Sequence, residues 1–314
     1  MSFFAILLAL MLEQARPLSE GNPVHGAVQG WVRWVRRTLD AGQSPHGWLA
    51  WLVAVVLPAA VSAGVYAALL HWSLLLAFAW TVLNLYLTLG FRQFSHHFTA
   101  IREALEAGDE GRARAALAAW RGVAVDQLPR QELLRHVIEH SVVQAHRHVF
   151  GVLVCFVLLA AVGLGPAGAV LYRLAEYVAR AWQAQEAEAG PSPAVQRAAG
   201  LAWAWIDALP VRVTALGFAV VGNFEEAVAN WRQDARRFTD LNEGILLAAT
   251  SGAINVRLGG QPLGSWGVEG ADPAVVTDGR TPQLAHLASV VGLVWRSVVL
   301  WLLLLALAVL ARLV

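Results

Sequence analysis

The composition predicts an all-α, polytopic membrane fold. Hydrophobic residues make up 57% of the 314 positions and charged residues only 14%, with mean hydropathy +0.53, too apolar for an ordinary soluble domain. Apolar runs near the length of about 20 residues that a bilayer requires recur along the chain. The 14 tryptophans suit membrane interfaces, where amphipathic rings collect.

Residues 2–12, SFFAILLALML, are about half a span and run into Glu13, so they predict a short half-inserted or interfacial helix. In 13–47, GWVRWVRRTL interleaves Trp31 and Trp34 with Arg33, Arg36 and Arg37, the pattern of a helix at the membrane surface. Residues 48–70 and 72–91 form a hairpin of two spans that meet near His71. Both ends then share a compartment, and the arginines of 92–148 place it in the cytoplasm. That insert reads as helix, a break at Gly108–Asp109, a second helix to Gly122, and a third from about Leu128. Spans at 149–172, 201–222 and 288–310 complete one membrane domain over 1–314, with 223–287 a cytoplasmic helix and loop.

Several function classes are excluded early. A net charge of +1 without a clustered basic tail argues against a nucleic-acid partner. All 23 basic residues are arginine, so lysine Schiff-base chemistry is absent. The single cysteine, Cys155, lies in an apolar run and reads as a packed hydrophobe. His136, Glu139 and His140 match the H-x-x-E-H zinc arrangement, but the match sits just before a span and lacks a further acidic ligand. No metal site is therefore expected; these histidines, with His146 and His148, read as headgroup-level hydrogen-bonding groups.

Two stretches attract chemistry. LAWAWIDALPVRVTALGFAVVG (201–222) is apolar yet carries Asp207, Pro210, Arg212 and Thr214, and charges at membrane depth are costly unless partnered. Pro210 removes a backbone donor and predicts a helix break that would let Asp207 and Arg212 face each other or a ligand. A purely structural ion pair is the alternative. Residues 253–282 are rich in Gly, Pro and Asp and read as an ordered loop, whose Gly259 and Gly260 amides could cradle a phosphate or carboxylate under Arg257. A loop without a ligand is the competing reading.

The strings ALEAGDEGRARAAL (104–117), GPAGAVLYR (165–173), IDALPVRVTAL (206–216) and AINVRLGG (253–260), in that order, resemble landmarks of the CobD/CbiB family. NPVHGAVQGWV, from residue 22, resembles its amino-terminal element and brings in His25. The resemblance implies a bacterial inner-membrane, multi-pass protein. It would join an aminopropanol, or its phosphate, to a propionate carboxyl of adenosylcobyric acid, using ATP with Mg2+. Its partners would be a corrinoid and the lipid bilayer, with self-association open. Asp207, Arg212 and Glu139 would then be catalytic, and Thr214, Asn255, Arg257, Gly259, Gly260 and His25 would bind substrate. There are departures: Ile138 and Glu139 are followed by HSVVQAHRHVFG in place of a polar run, and LNEG (241–244) replaces another polar element. SFFAILLALMLEQARPL, Arg147 and VGNFEEAVANW instead resemble AmpE, a membrane protein tied to β-lactamase regulation, so a non-catalytic sensor is the second reading.

Overall fold

The computed structural model describes residues 2–16, 22–123, 125, 128–183, 190–261, 263 and 275–311, with backbone only at 91–95. It is all-α, as the composition predicts, with two isolated β-bridges among the described residues. Among the described residues, four helical runs are long and apolar enough to cross a membrane: Ser44–Trp72, Arg130–Ala161, Pro193–Val221 and Leu284–Leu310. Where the sequence suggests one membrane domain, the chain divides into two compact units, 1–91 with 147–210, and 92–146 with 211–314.

In the first unit, α1 (Ser2–Ala15) runs past the predicted end at Glu13, which is buried, and turns Ala5, Ile6 and Ala9 onto α5 (Leu74–Thr88). The Tyr86 hydroxyl fixes its end by donating to the Arg16 carbonyl at 2.6 Å. α2 (Pro23–Leu39) starts at Asn22, whose side chain accepts from the Val24 N–H, a standard way to satisfy a first-turn donor. It buries Val32 and Val35 and packs on α3 (Ser44–Trp51) and the π-helical turn Leu52–Val56, which continues into α4 (Leu57–Trp72). Extended backbone at Ser73 separates α4 from α5. With 15 residues, α5 is only about 22 Å long, short of the roughly 30 Å hydrocarbon layer, so the hairpin's second arm is shorter than the predicted 72–91. Polar groups lock the hairpin: Ser62 Oγ donates to Asn84 Oδ1 (3.1 Å) and the Trp80 indole donates to the Ser62 carbonyl (3.1 Å).

The helix containing 149–160 stops at Ala161, since α9 (Gly151–Ala161) ends in a turn with Gly163 and Gly165 at positive φ. The predicted span to 172 is thus two elements, the second being α10 (Ala167–Gln183). α9 and α10 approach closely. A Cβ on Gly168 would stand 2.0 Å from the Cys155 carbonyl oxygen, and one on Gly151 would overlap the Tyr172 ring. α11 (Pro193–Val221) is helical through Pro210 and is not broken. Proline leaves the Ile206 carbonyl without its i+4 donor, a loss that transmembrane helices tolerate when neighbours re-satisfy the backbone.

In the second unit, α6 (Phe91–Glu106) and α7 (Glu110–Arg121) meet at the predicted break. Gly108 has φ +76, and Asp109 caps α7 by accepting from the Arg112 N–H at 2.9 Å. α8 (Arg130–Ala145) leads into a π-helical turn at His146–Phe150. α12 (Phe224–Asp234) and α13 (Leu241–Ile254) pack at backbone distance, because a Cβ on Gly252 would lie 2.2 Å from the Glu226 carbonyl oxygen. α14 (Leu284–Leu310) carries Arg296 on an exposed face, its Nε donating to the Gly292 carbonyl at 3.1 Å.

Candidate functional site

The AINVRLGG stretch leaves α13 through Asn255, whose φ of +50 makes it the left-handed cap of that helix. Val256 then bridges Arg280, and Gly259 bridges Val276. Thr277 ties the two strips together: its backbone N–H donates to the Leu258 carbonyl at 2.8 Å, and its hydroxyl accepts from the Leu258 N–H at 2.9 Å. The Ser251 hydroxyl, 2.7 Å from that of Thr277, accepts from the Asn230 amide and donates to the Asp278 carbonyl. These bonds hold residues 255–260 against 275–280.

An arginine holds the loop onto α8. Arg135 Nη1 lies 2.9 and 3.0 Å from the two Glu139 oxygens, and Nε donates to Glu132 at 2.7 Å. Nη2 donates to the Gln261 carbonyl at 2.9 Å and lies 2.9 Å from His136 Nε2. Glu139 Oε1 also accepts the Gly259 N–H at 2.7 Å. The side chains of Arg135 and Glu139 are only 5% and 13% exposed, so these charge-assisted bonds act in a low dielectric. Gly260 (φ +112) is needed for this approach, since a Cβ there would stand 3.2 Å from Arg135 Cζ.

This arrangement corrects the predicted anion cradle. The Gly259 amide is engaged by Glu139, and the Gly260 amide donates to the Val275 carbonyl at 2.6 Å. Glu139 holds the loop in place of facing an open cleft. Arg257 is exposed, and among the described residues its guanidinium has no ion-pair partner; Asn255 is exposed as well. Thr214, fully buried, lies 2.9 Å from His146 Nδ1. Arg212 is half-buried on α11. In the first unit, Asp207 is buried and accepts the Tyr172 hydroxyl at 2.8 Å, a partner the sequence reading did not anticipate. Tyr172 packs beside Trp203, over which the Arg147 guanidinium lies at 5.9 Å. His25, exposed, meets Tyr177 edge to face.

The H-x-x-E-H positions diverge. His136 joins Arg135 and Glu139, with Nδ1 3.4 Å from Glu139 Oε2, whereas His140 meets the Trp120 ring and lies 3.0 Å from Arg121 Nη1. Arg135, which the sequence reading treated only as one loop arginine among many, is the centre of the site. Its signal was the spacing Glu132, Arg135, His136, Glu139, which puts four polar groups on one face of a helix that is otherwise buried.

These features define a class: an all-α membrane protein with a glycine strip latched by a buried arginine to a long apolar helix. Comparison with known proteins narrows it. The CobD/Cbib protein family model matches residues 3–294. The chain is 32% identical over 272 residues to the cobalamin biosynthesis protein CobD of Stutzerimonas stutzeri (strain A1501), covering 84% of this chain and 82% of the relative. It is 30% identical over 225 residues to the cobalamin biosynthesis protein CobD of Chromobacterium violaceum (strain ATCC 12472), covering 69% and 66%. No solved structure matches. The chain belongs to the CobD/CbiB family.

Proposed function

We propose that this protein acts in cobalamin biosynthesis at the bacterial inner membrane as an adenosylcobinamide(-phosphate) synthase-like protein. It joins aminopropanol, or its phosphate, to a propionate carboxyl of adenosylcobyric acid. The observation that carries this reading is the family match from residue 3 to 294, which takes in every landmark quoted above, the VRLGG loop included. Forming the amide needs a neutral amine, an activated carboxyl and stabilisation of the oxyanion in the tetrahedral intermediate. Arg257 is the group for an anionic end of the substrate, a phosphate or the propionate, because it is exposed and carries no internal counter-charge among the described residues. Glu139 and Arg135 position the loop that bears it. Thr214 and Asp207 act as buried orienting groups in their own surroundings, through His146 and Tyr172.

Carboxyl activation by ATP with Mg2+ is what the family resemblance implies. The glycine strip and its latch offer no open group for it: the Gly259 and Gly260 amides have internal acceptors, and the Glu132 and Glu139 carboxylates are bound by Arg135. The same closed latch favours a second reading, a non-catalytic AmpE-like membrane protein. The test is rescue of a corrinoid auxotroph that lacks its own synthase. The synthase reading predicts growth with the intact chain and loss of growth with Arg257→Ala at equal protein level. No rescue by well-expressed intact protein leaves the second reading standing.

A further inference from the structure

The geometry points to a lipid-binding collar: α2 and the first turns of α3 hold the anionic headgroups of the bilayer that the α3–α4 run crosses. Ser44–Trp72 is 29 residues, about 43 Å of helix against a hydrocarbon layer of about 30 Å, so roughly nine residues project into the headgroup region. Trp72, 80% exposed, anchors one end, so the surplus falls at Ser44–Leu52. α2 packs against this projecting end. It is pinned there by one hydrogen bond with a clear cause. Pro58 has no N–H to offer the Ala54 carbonyl four residues earlier, and the Trp31 indole donates to that carbonyl instead, at 3.3 Å.

Two aromatic pairs mark the same level: Trp31 stacks on Trp34 at 5.3 Å, and Trp48 meets Trp51 edge to face. Trp34 and Trp48 are exposed, which suits the headgroup boundary better than water. Beside them stand Arg33 and Arg37, exposed, and Arg36, half-buried. Among the described residues none of the three has an ion-pair partner. Asp40 is the only acid between residues 22 and 51, and the Gly42 and Ser192 N–H groups already occupy it. Three arginines on a tryptophan-lined helix at headgroup depth complement lipid phosphates, and the proposal does not depend on the synthase reading.

The full chain in phosphatidylcholine nanodiscs, with and without phosphatidylglycerol, tests this. Native mass spectrometry of the released protein counts retained phosphatidylglycerol. Arg33→Gln, Arg36→Gln and Arg37→Gln should each weaken retention about fivefold, whereas Arg232→Gln with Arg236→Gln should leave it unchanged. Inorganic phosphate should not displace the lipid, and raised salt should release it from the parent protein, a readout that stands even if a variant fails to fold. Equal retention by the α2 variants, an equal loss in the Arg232/Arg236 control, displacement by inorganic phosphate, or insensitivity to salt would each overturn the collar.

Discussion

Arg135 carries more of this fold's specificity than any residue the sequence marked out. Removing one partner of a buried, hydrogen-bonded ion pair leaves the other charge uncompensated, at a cost of about 3–5 kcal/mol. Arg135→Ala should therefore destabilise the purified protein by about that much, and Glu139→Gln by less, since an amide oxygen can still accept the Gly259 N–H. Thermal denaturation in detergent separates them; equal, small effects would mean the latch is not formed. The Tyr172–Asp207 contact lends itself to a double-mutant cycle. A buried hydrogen bond to a charged acceptor contributes about 1.5–3 kcal/mol, so Tyr172→Phe and Asp207→Asn should be non-additive. Asp40 gives a pH signature. Partial burial raises its pKa, but hydrogen bonds from Ser192 and Gly42 and the nearby Arg36 outweigh that and lower it below its usual value. Its contribution to stability is thus present above the unfolded pKa and lost as pH falls through the lower folded one. The stability difference between the parent and Asp40→Asn should be flat from neutral pH to about pH 5 and vanish under strong acid. A difference that persists unchanged at the acid end would contradict the Asp40–Ser192 link.

At the scale of elements, what was legible followed from local chemistry. The Gly108–Asp109 break, the Gly122 cap and the long apolar runs were readable because caps, turns and hydropathy act within a few residues. Pro210 misled because transmembrane helices tolerate proline where neighbouring groups re-satisfy the freed backbone, and α11 stays helical through it. The end of the third span was misplaced because the apolar run continues through GLGPAG to Tyr172, although Gly163 and Gly165 at positive φ reverse the chain there. The glycines at helix contacts were unreadable without coordinates, since their role depends on what faces them. Gly151→Val should push the Tyr172 ring aside and destabilise by about 1–3 kcal/mol. Gly64→Ala, with nothing within 4 Å of the added carbon, should be neutral or stabilising by up to about 1 kcal/mol. Comparable gains at both positions would show that helix propensity, not packing, decides.

For the whole molecule, the family and the all-α membrane build were legible because both rest on patterns spread along the chain. The division into two units was not, since two of its three boundaries, at 146/147 and 210/211, fall inside continuous helical runs, where sequence shows no linker. The arrangement of arginines predicts a cytoplasmic reporter after residue 120, and the Asp40–Ser192 hydrogen bond predicts that a reporter near 190 reports the same side as one near 40; a periplasmic signal at 120 would overturn that map. The proposed chemistry is tested most directly by incubating membranes holding only this protein with adenosylcobyric acid, aminopropanol phosphate, ATP and Mg2+, and following the corrinoid by mass spectrometry. The synthase reading predicts a product heavier by the aminopropanol phosphate less one water, formed by the intact chain and abolished in Arg257→Ala. Unchanged adenosylcobyric acid with the intact chain, under conditions where a competent family member converts it, would contradict that reading.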